Sequence, residues 1–312
     1  MNRDGFHRQT ISKGRVNYEP SSIDAPPILE TPANRGGFAS FPEPLTGVKL
    51  RKRAESFADH YSQATLFWQS QTPPEQQHII EAFQFELGKL TVPAVRLRML
   101  SNLVNVDREL ASKVAAVLGV AVPAPSPRTG LKRYSPSPAL SMIARGNPKS
   151  PVGRKVAILA TDGVDAAGLQ AVKSALLSAG AKVKVVSTHL GELRASGGGT
   201  VLVDDLLVTM PSIVFDAVFI PGGADSVAAL KSSGDAVLFV REAFKHAKSI
   251  AALGDGAELL LIAGVLSDSL AGSRPAGVSV AQANAGSALA ATFLTDIAAH
   301  RHWSRPGKLI AA

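Results

Sequence analysis

The C-terminal half of this 312-residue chain predicts an α/β fold, a doubly wound parallel sheet of flavodoxin-like type, preceded by an extended arm and a small four-helix subdomain. Three observations predict it. Short strand-like runs at 156–160, 182–186 (with alternating faces), 216–220 and 250–253 are separated by stretches of helix-forming residues, the spacing of strands joined by crossover helices. The run at 250–253 is apolar throughout, as a strand buried on both faces requires. Gly254-Asp255-Gly256 then breaks the pattern before helix formers resume at 257–263, which reads as strand, tight turn, helix.

Taken in order, residues 1–56 read as an extended arm. Prolines 20, 26, 27, 32, 42 and 44 and glycines 5, 14, 36, 37 and 47 interrupt any periodicity. Phe6, Tyr18, Phe38 and Phe41 suit a segment laid over another surface, because disordered chain is poor in aromatics. Residues 57–119 turn helical. A short helix includes Leu66, Phe67 and Trp68. Thr72-Pro73-Pro74-Glu75 has the form of a capping box with proline at the first helical position, followed by a stripe of Ile79, Ile80, Phe83, Leu87 and Leu90. Pro93 opens a helix carrying Val95, Met99, Leu100 and Leu103. Asp107 caps another, with Leu110, Val114, Val117 and Leu118 inward and Gly119 ending it. Four short helices of this size are marginal alone and are steadier docked on something. Residues 120–152, with seven prolines among serines and basic residues, read as a semi-extended linker. From 153 to 312 the pattern is strand, helix 165–179 ended by Gly180, strand, strand 216–220 followed by Pro221-Gly222-Gly223, helix 235–248, the strand and turn described above, and a last helix over 287–300.

Composition is globular, at 46% apolar and 19% charged residues. The absence of cysteine excludes disulfides, thiolate metal sites and a cysteine nucleophile, and fits a reducing compartment. The first residues are too charged for a signal peptide, and no apolar run approaches the roughly 18 residues of a membrane helix, so a soluble cytoplasmic protein with no membrane partner is expected. The net charge of +8 raises nucleic acid as a partner. Residues 1–152 carry 19 Lys+Arg against 12 Asp+Glu, and 153–312 carry 14 against 13, so the excess lies in the first half. Its dense run, Lys49-Leu-Arg-Lys-Arg53, has no aromatic interleaving and reads as a solvated or interface-facing loop, which argues against a nucleic-acid role.

Each chemical candidate has a plainer reading. A turn at the carboxyl end of a strand is where an α/β fold exposes a nucleophile, but Gly254 has no side chain and Asp255 is better suited to cap the following helix. Pro221-Gly222-Gly223 has the backbone N–H groups of an oxyanion hole, or is a turn that needs glycine. Asp162 and Asp165 follow the first strand, where a carboxylate serves as base or as helix cap. Gly197-Gly-Gly199 lacks a P-loop's lysine and reads as a hairpin loop. His60 and His78 have no second ligand at metal spacing. His189, His246, His300 and His302 have no Ser or Cys partner visible in sequence, and Ser249 is expected far from the turn.

Two resemblances complete the reading. The first strand with Gly163-Val-Asp165, the segment Asp216-Ala-Val-Phe-Ile-Pro-Gly-Gly223 and Ala252-Leu-Gly-Asp-Gly256 resemble the class I amidotransferase and intracellular-protease superfamily. That superfamily has Glu where Asp165 stands and a catalytic Cys where Gly254 stands, so the resemblance implies degenerate positions at Asp165, Gly254 and Asp255. The second covers essentially the whole chain. Arg3-Asp-Gly-Phe-His-Arg8, Asn17-Tyr-Glu-Pro20, Glu30-Thr-Pro32, Arg35-Gly-Gly-Phe38, Leu66-Phe-Trp-Gln-Ser-Gln-Thr-Pro73, Phe85-Glu-Leu87 and Ala298-Ala-His-Arg-His-Trp-Ser-Arg305 are similar to the C-terminal portion of large-subunit monofunctional haem catalases. This resemblance implies a parent family that disproportionates hydrogen peroxide, a homotetramer, and a haem barrel upstream of Met1. It implies no haem, metal or catalytic residue in the chain itself, with a catalase core or like subunits as partners. Two other classes stand beside it, a free-standing amidotransferase-like or protease-like hydrolase and a nucleic-acid binder.

Overall fold

The structure, a computed structural model, describes residues 42–126, 132–146, 149–267 and 274–305. The arm strings before residue 42, with Phe6, His7, Tyr18, Phe38 and Phe41, lie outside the described residues. The chain divides into two units, Met1–Phe57 and Ala58–Ala312. In the first, 42–54 has neither helix nor strand and is exposed, and the Arg53 guanidinium lies 5.8 Å above the Phe57 ring.

The second unit begins with helices α1 (Ser62–Ser70), α2 (Pro73–Gly88), α3 (Pro93–Val106) and α4 (Arg108–Leu118). Their starts follow the sequence signals. Glu75 accepts from the Thr72 N–H at 2.9 Å and from its hydroxyl at 2.7 Å, and Asp107 accepts from Leu110 N–H at 3.0 Å. Gly119 closes α4 at φ +66°, a conformation that suits glycine. Trp68, Ile80, Leu87, Leu100, Leu103, Leu110 and Val114 form the core of the four helices. Val117, expected inward, is exposed; the small Ala111 and Ala115 occupy the buried face, where α4 lies close against α2 and α3.

The stretch between α4 and the sheet corrects the expectation of a plain semi-extended linker. It contains a 3₁₀ turn (Pro138–Leu140) and helix α5 (Met142–Arg145), and it is latched onto α1, α2 and α3. Asn105 accepts from Ser126 N–H, Ser62 from Lys132 N–H and Ser70 from Ser137 N–H, each at 2.8–3.0 Å. Glu75 takes the Ser141 hydroxyl at 2.6 Å and the Ile143 N–H at 3.1 Å, and Gln71 donates to the Leu140 carbonyl. Proline-rich chain cannot satisfy its own backbone groups, and buried side chains of the helices do so instead. The four helices are thus steadied by their own following segment.

Beyond it, β1 (Lys155–Leu159), α6 (Ala166–Ser178), β2 (Lys182–Ser187), the antiparallel hairpin β3 (Glu192–Arg194) and β4 (Thr200–Leu202), β5 (Asp205–Leu206), β6 (Ala217–Ile220), α7 (Ala224–Ser232), α8 (Gly234–Lys245), β7 (Ser249–Leu253), α9 (Ala257–Ile262), β8 (Val278–Ala281) and α10 (Gly286–Ala299) follow. Six strands form one parallel sheet in the order β5-β2-β1-β6-β7-β8. The doubly wound α/β class holds. One face, with Val156, Ile158, Phe219 and Leu253, packs on Leu169, Val172 and Leu176 of α6 and Leu289, Phe293 and Ile297 of α10. The other, with Leu159, Val218, Ile220 and Ile250, packs on α7, α8 and α9 through Leu230, Phe239, Val240, Phe244 and Leu260. Strands β5 and β8 and helix α7 add to the elements that the sequence predicts: β5 has two residues, β8 follows a Gly/Pro-rich stretch, and α7 starts directly after the glycine pair.

Candidate functional site

The loops at the carboxyl ends of β1, β6 and β7 converge, as the topology of a doubly wound sheet dictates. Asp165 caps α6, its Oδ1 accepting from Gly168 N–H at 3.1 Å, while its own N–H donates to the Gly222 carbonyl at 2.9 Å. Gly254 has φ +53°, the left-handed geometry of an elbow. A Cβ at that position would stand 3.2 Å from the Ala283 methyl. Asp255 departs from its expected role. It makes no cap bond to α9; residues 254–256 form a 3₁₀ turn, and its carboxylate reaches across to accept from Gly223 N–H at 3.3 Å. That N–H is one of the two glycine donors that the sequence suggests for an oxyanion hole.

Close backbone contact fills this end of the sheet. A Cβ on Gly223 would overlap the Gly163 carbonyl oxygen, one on Gly256 would lie 2.5 Å from the Ile220 oxygen, and one on Gly222 would lie 3.2 Å from the Leu253 oxygen. The glycines answer a need for main chain to meet main chain. Asp165, Gly254 and Asp255 are therefore brought together, but as packed turns in which each carboxylate holds an N–H group. Asp162 is engaged as well. It accepts from the Arg194 N–H at 2.8 Å and guanidinium at 3.1 Å, which hold its carboxyl below the usual range and tie the β3–β4 hairpin to β1.

A second cluster lies at the opposite, amino-terminal ends of the strands, built by the segment after α10. Asp216 accepts from Lys155 N–H and from His300 Nε2, both at 3.0 Å, with Arg301 at 3.7 Å. Burial opposes the charge on Asp216, but the hydrogen bonds from His300 and Lys155 and the charge of Arg301 outweigh it and hold the carboxyl at about 2. Ser249, fully buried as the first residue of β7, lies 3.0 Å from His302 Nε2. Burial and then the Arg305 charge keep the pKa of His302 below its ordinary value. Arg305 is itself buried, donates to the carbonyls of Ala276 at 2.9 Å and Lys248 at 2.8 Å, and stacks 4.5 Å above Phe244. Lys248 donates to the Ser212 carbonyl, and burial together with Arg301 pulls its pKa down to about 8.

Sequence reasoning missed the Ser249–His302 pair because its members are 53 positions apart and nothing local links them. The pair is packed shut: a Cβ on Gly277 would overlap the His302 ring. The remaining described imidazoles are also placed. His60 lies edge-on to the Tyr61 ring at 6.3 Å, His78 meets the Trp303 indole edge-on at 5.2 Å, His246 pairs with Glu242, and His189 contacts the Leu190 carbonyl. Tyr61 donates to Asn102. Among the described residues no group of three or more His, Cys, Asp or Glu is placed to hold a metal ion, and no helix is long and apolar enough to cross a membrane.

Residues 152–306 match the family described as the C-terminal domain found in long catalases, and 54–118 match the catalase-related immune-responsive family. Catalase HPII of Pseudomonas aeruginosa is 44% identical over 262 residues, covering 82% of this chain and 36% of that protein. Catalase-2 of Bacillus subtilis is 38% identical and Catalase C of Rhizobium meliloti 41% identical; each alignment covers 97% of this chain and 42% of the relative. The chain thus spans about two-fifths of the length of the curated relatives it matches.

Proposed function

The chain belongs to the long-catalase family, in which it corresponds to the C-terminal portion, and on that premise we propose that it serves a peroxide-disproportionating enzyme as a structural module. Haem chemistry is assigned to a catalase core outside this sequence. What supports this is that every described imidazole has a neighbour in the protein, His60 lying edge-on to the Tyr61 ring at 6.3 Å, and that the Tyr61 phenol donates to Asn102. An axial ligand needs a free donor over an enclosed apolar pocket. The flavodoxin-like domain is assigned a packing role, with Asp165, Gly254 and Asp255 catalytically silent, because glycine has no atom to attack with and the nearby carboxylates are spent on backbone donors.

The observation that carries the proposal is the extent of the match, which takes in the helices at 54–118 and the sheet with its terminal segment at 152–306 and covers 97% of this chain in two relatives. Exposed Phe67, Val92, Leu97 and Val117 on the four helices support docking on a catalase core, and a homotetramer of such subunits in the cytoplasm follows as part of the same proposal. The test is to purify 1–312 with haem supplied, and separately to append it to a core of the Bacillus subtilis relative shorn of the matching region. The free chain is expected to show no Soret band and no oxygen evolution, and the appended chain to raise the core's thermal midpoint. Stoichiometric haem uptake with turnover by 1–312 alone overturns the reading.

A further inference from the structure

The terminal segment that closes the amino-terminal end of the sheet also walls a cavity of about 490 Å³ between itself and the latched segment around α5. Met142, Ile143 and Ala298 supply apolar walls, Trp303 an aromatic one, and the exposed Lys149 and the largely buried Arg301 the cations. We propose that this cavity binds a small organic anion with a flat apolar body, its acid group on Arg301 and Lys149 and its body against Trp303, Met142 and Ile143.

The charge count is the first reason for an anion. Arg301 keeps only about a fifth of its side-chain surface exposed, and its NH1 is shared between the His300 carbonyl at 3.0 Å and Asp216 at 3.7 Å. That one carboxylate also serves His300 and the Lys155 N–H, and so only partly neutralises the guanidinium. The neighbouring charges Arg154 and Lys248 have the same sign as Arg301. A largely buried guanidinium with donors to spare beside a cavity favours a bidentate acid group. The second reason concerns the ligand's body. A cavity walled by Met142, Ile143, Ala298 and an indole gains little from a hydrated inorganic ion but takes up a planar hydrocarbon. The Trp303 ring also packs edge-on against His78 at 5.2 Å, a contact that helps to fix the aromatic wall before any ligand arrives. This inference goes beyond the structural role proposed above and does not depend on it.

The sequence has two tryptophans, of which Trp68 is buried among the four helices, so emission from Trp303 reports on the cavity. The experiment titrates chain 1–312 with 2-naphthoate, with uncharged 2-naphthamide and with inorganic phosphate, following tryptophan fluorescence and confirming stoichiometry by calorimetry. Saturable binding of one naphthoate per chain is expected, with naphthamide and phosphate each weaker by about tenfold or more. Arg301→Gln and Lys149→Gln are each expected to weaken naphthoate by about five- to tenfold. Ala298→Phe, which fills the cavity without touching a charge, abolishes binding while the thermal transition is kept. Equal affinity for naphthamide, equal affinity for phosphate, or naphthoate binding that survives Ala298→Phe in a folded protein would each overturn the proposal. If Arg301→Gln unfolds the chain, Lys149→Gln and Ala298→Phe decide the matter between them.

Discussion

Glu75 shows how much one side chain carries here. It accepts from the Thr72 N–H and hydroxyl, the Ser141 hydroxyl and the Ile143 N–H, joining the start of α2 to the segment almost 70 residues further on. Burial opposes its charge, but these hydrogen bonds prevail and bring the pKa from 4.5 down to about 2. Because the folded value lies below the unfolded one, the stabilisation is complete above about pH 4.5 and is lost as pH falls toward 2. Glu75→Gln is therefore expected to destabilise the protein by about 2 kcal/mol at pH 7, with the gap to the parent closing between about pH 4.5 and about pH 2 in urea melts. A gap that stays constant with pH would mean that the carboxylate's charge has no part in the latch. Gly254 makes a backbone case. With φ at +53° and the Ala283 methyl 3.2 Å from where a Cβ would stand, Gly254→Ala is expected to cost about 1–2 kcal/mol, whereas Gly264→Ala, at φ +70° in open space, should cost only the smaller conformational part. Equal losses at the two positions would remove the contact with Ala283 from the account.

At the scale of elements, the segment after α10 behaves as a clamp across the amino-terminal ends of β6, β7 and β8. Its anchors are His300 on Asp216, His302 on Ser249 and Arg305 on the carbonyls of Ala276 and Lys248. Replacing Arg305 by Met keeps an apolar contact with Phe244 but takes the donor from the buried Lys248 carbonyl and the part-buried Ala276 carbonyl. The expected loss is about 2–4 kcal/mol in equilibrium unfolding, larger than for any exposed arginine on the helices. A loss under about 0.5 kcal/mol would show that the clamp is ornamental to stability. Asp216→Asn should weaken the same clamp above about pH 4 and matter progressively less as pH falls through about 2, since its folded pKa also lies below its ordinary 3.8.

For the whole molecule, the two halves of the second unit differ in how they close their cores. The sheet and its five helices bury apolar side chains on both faces, whereas the four helices rely on the latched segment to satisfy Ser62, Ser70, Glu75 and Asn105. Residues 153–312 are accordingly expected to melt cooperatively when produced alone. Residues 58–119 are expected not to, and 58–152 to regain a cooperative transition. Cooperative melting by 58–119 that is unchanged on adding 120–152 would contradict the latch.

Local patterns in the sequence determined the sheet strands at 155–159, 182–187, 217–220 and 249–253, the caps at Asp107 and Asp165, and the hairpin around Gly197-Gly-Gly199, because each depends on neighbours within a few residues. The missing nucleophile at position 254 was equally legible, being a matter of residue identity. Only the tertiary structure decided what spans long separations in the chain. It turned Asp255 from its own helix to Gly223, paired Ser249 with His302, gave Asp216 to His300, and made a latch of a proline-rich stretch that reads as a spacer. The physical reason is common to all four: the partner that a polar group finds depends on which elements the packing of the core brings beside it, and where the group is buried, as at Ser249, it must find one.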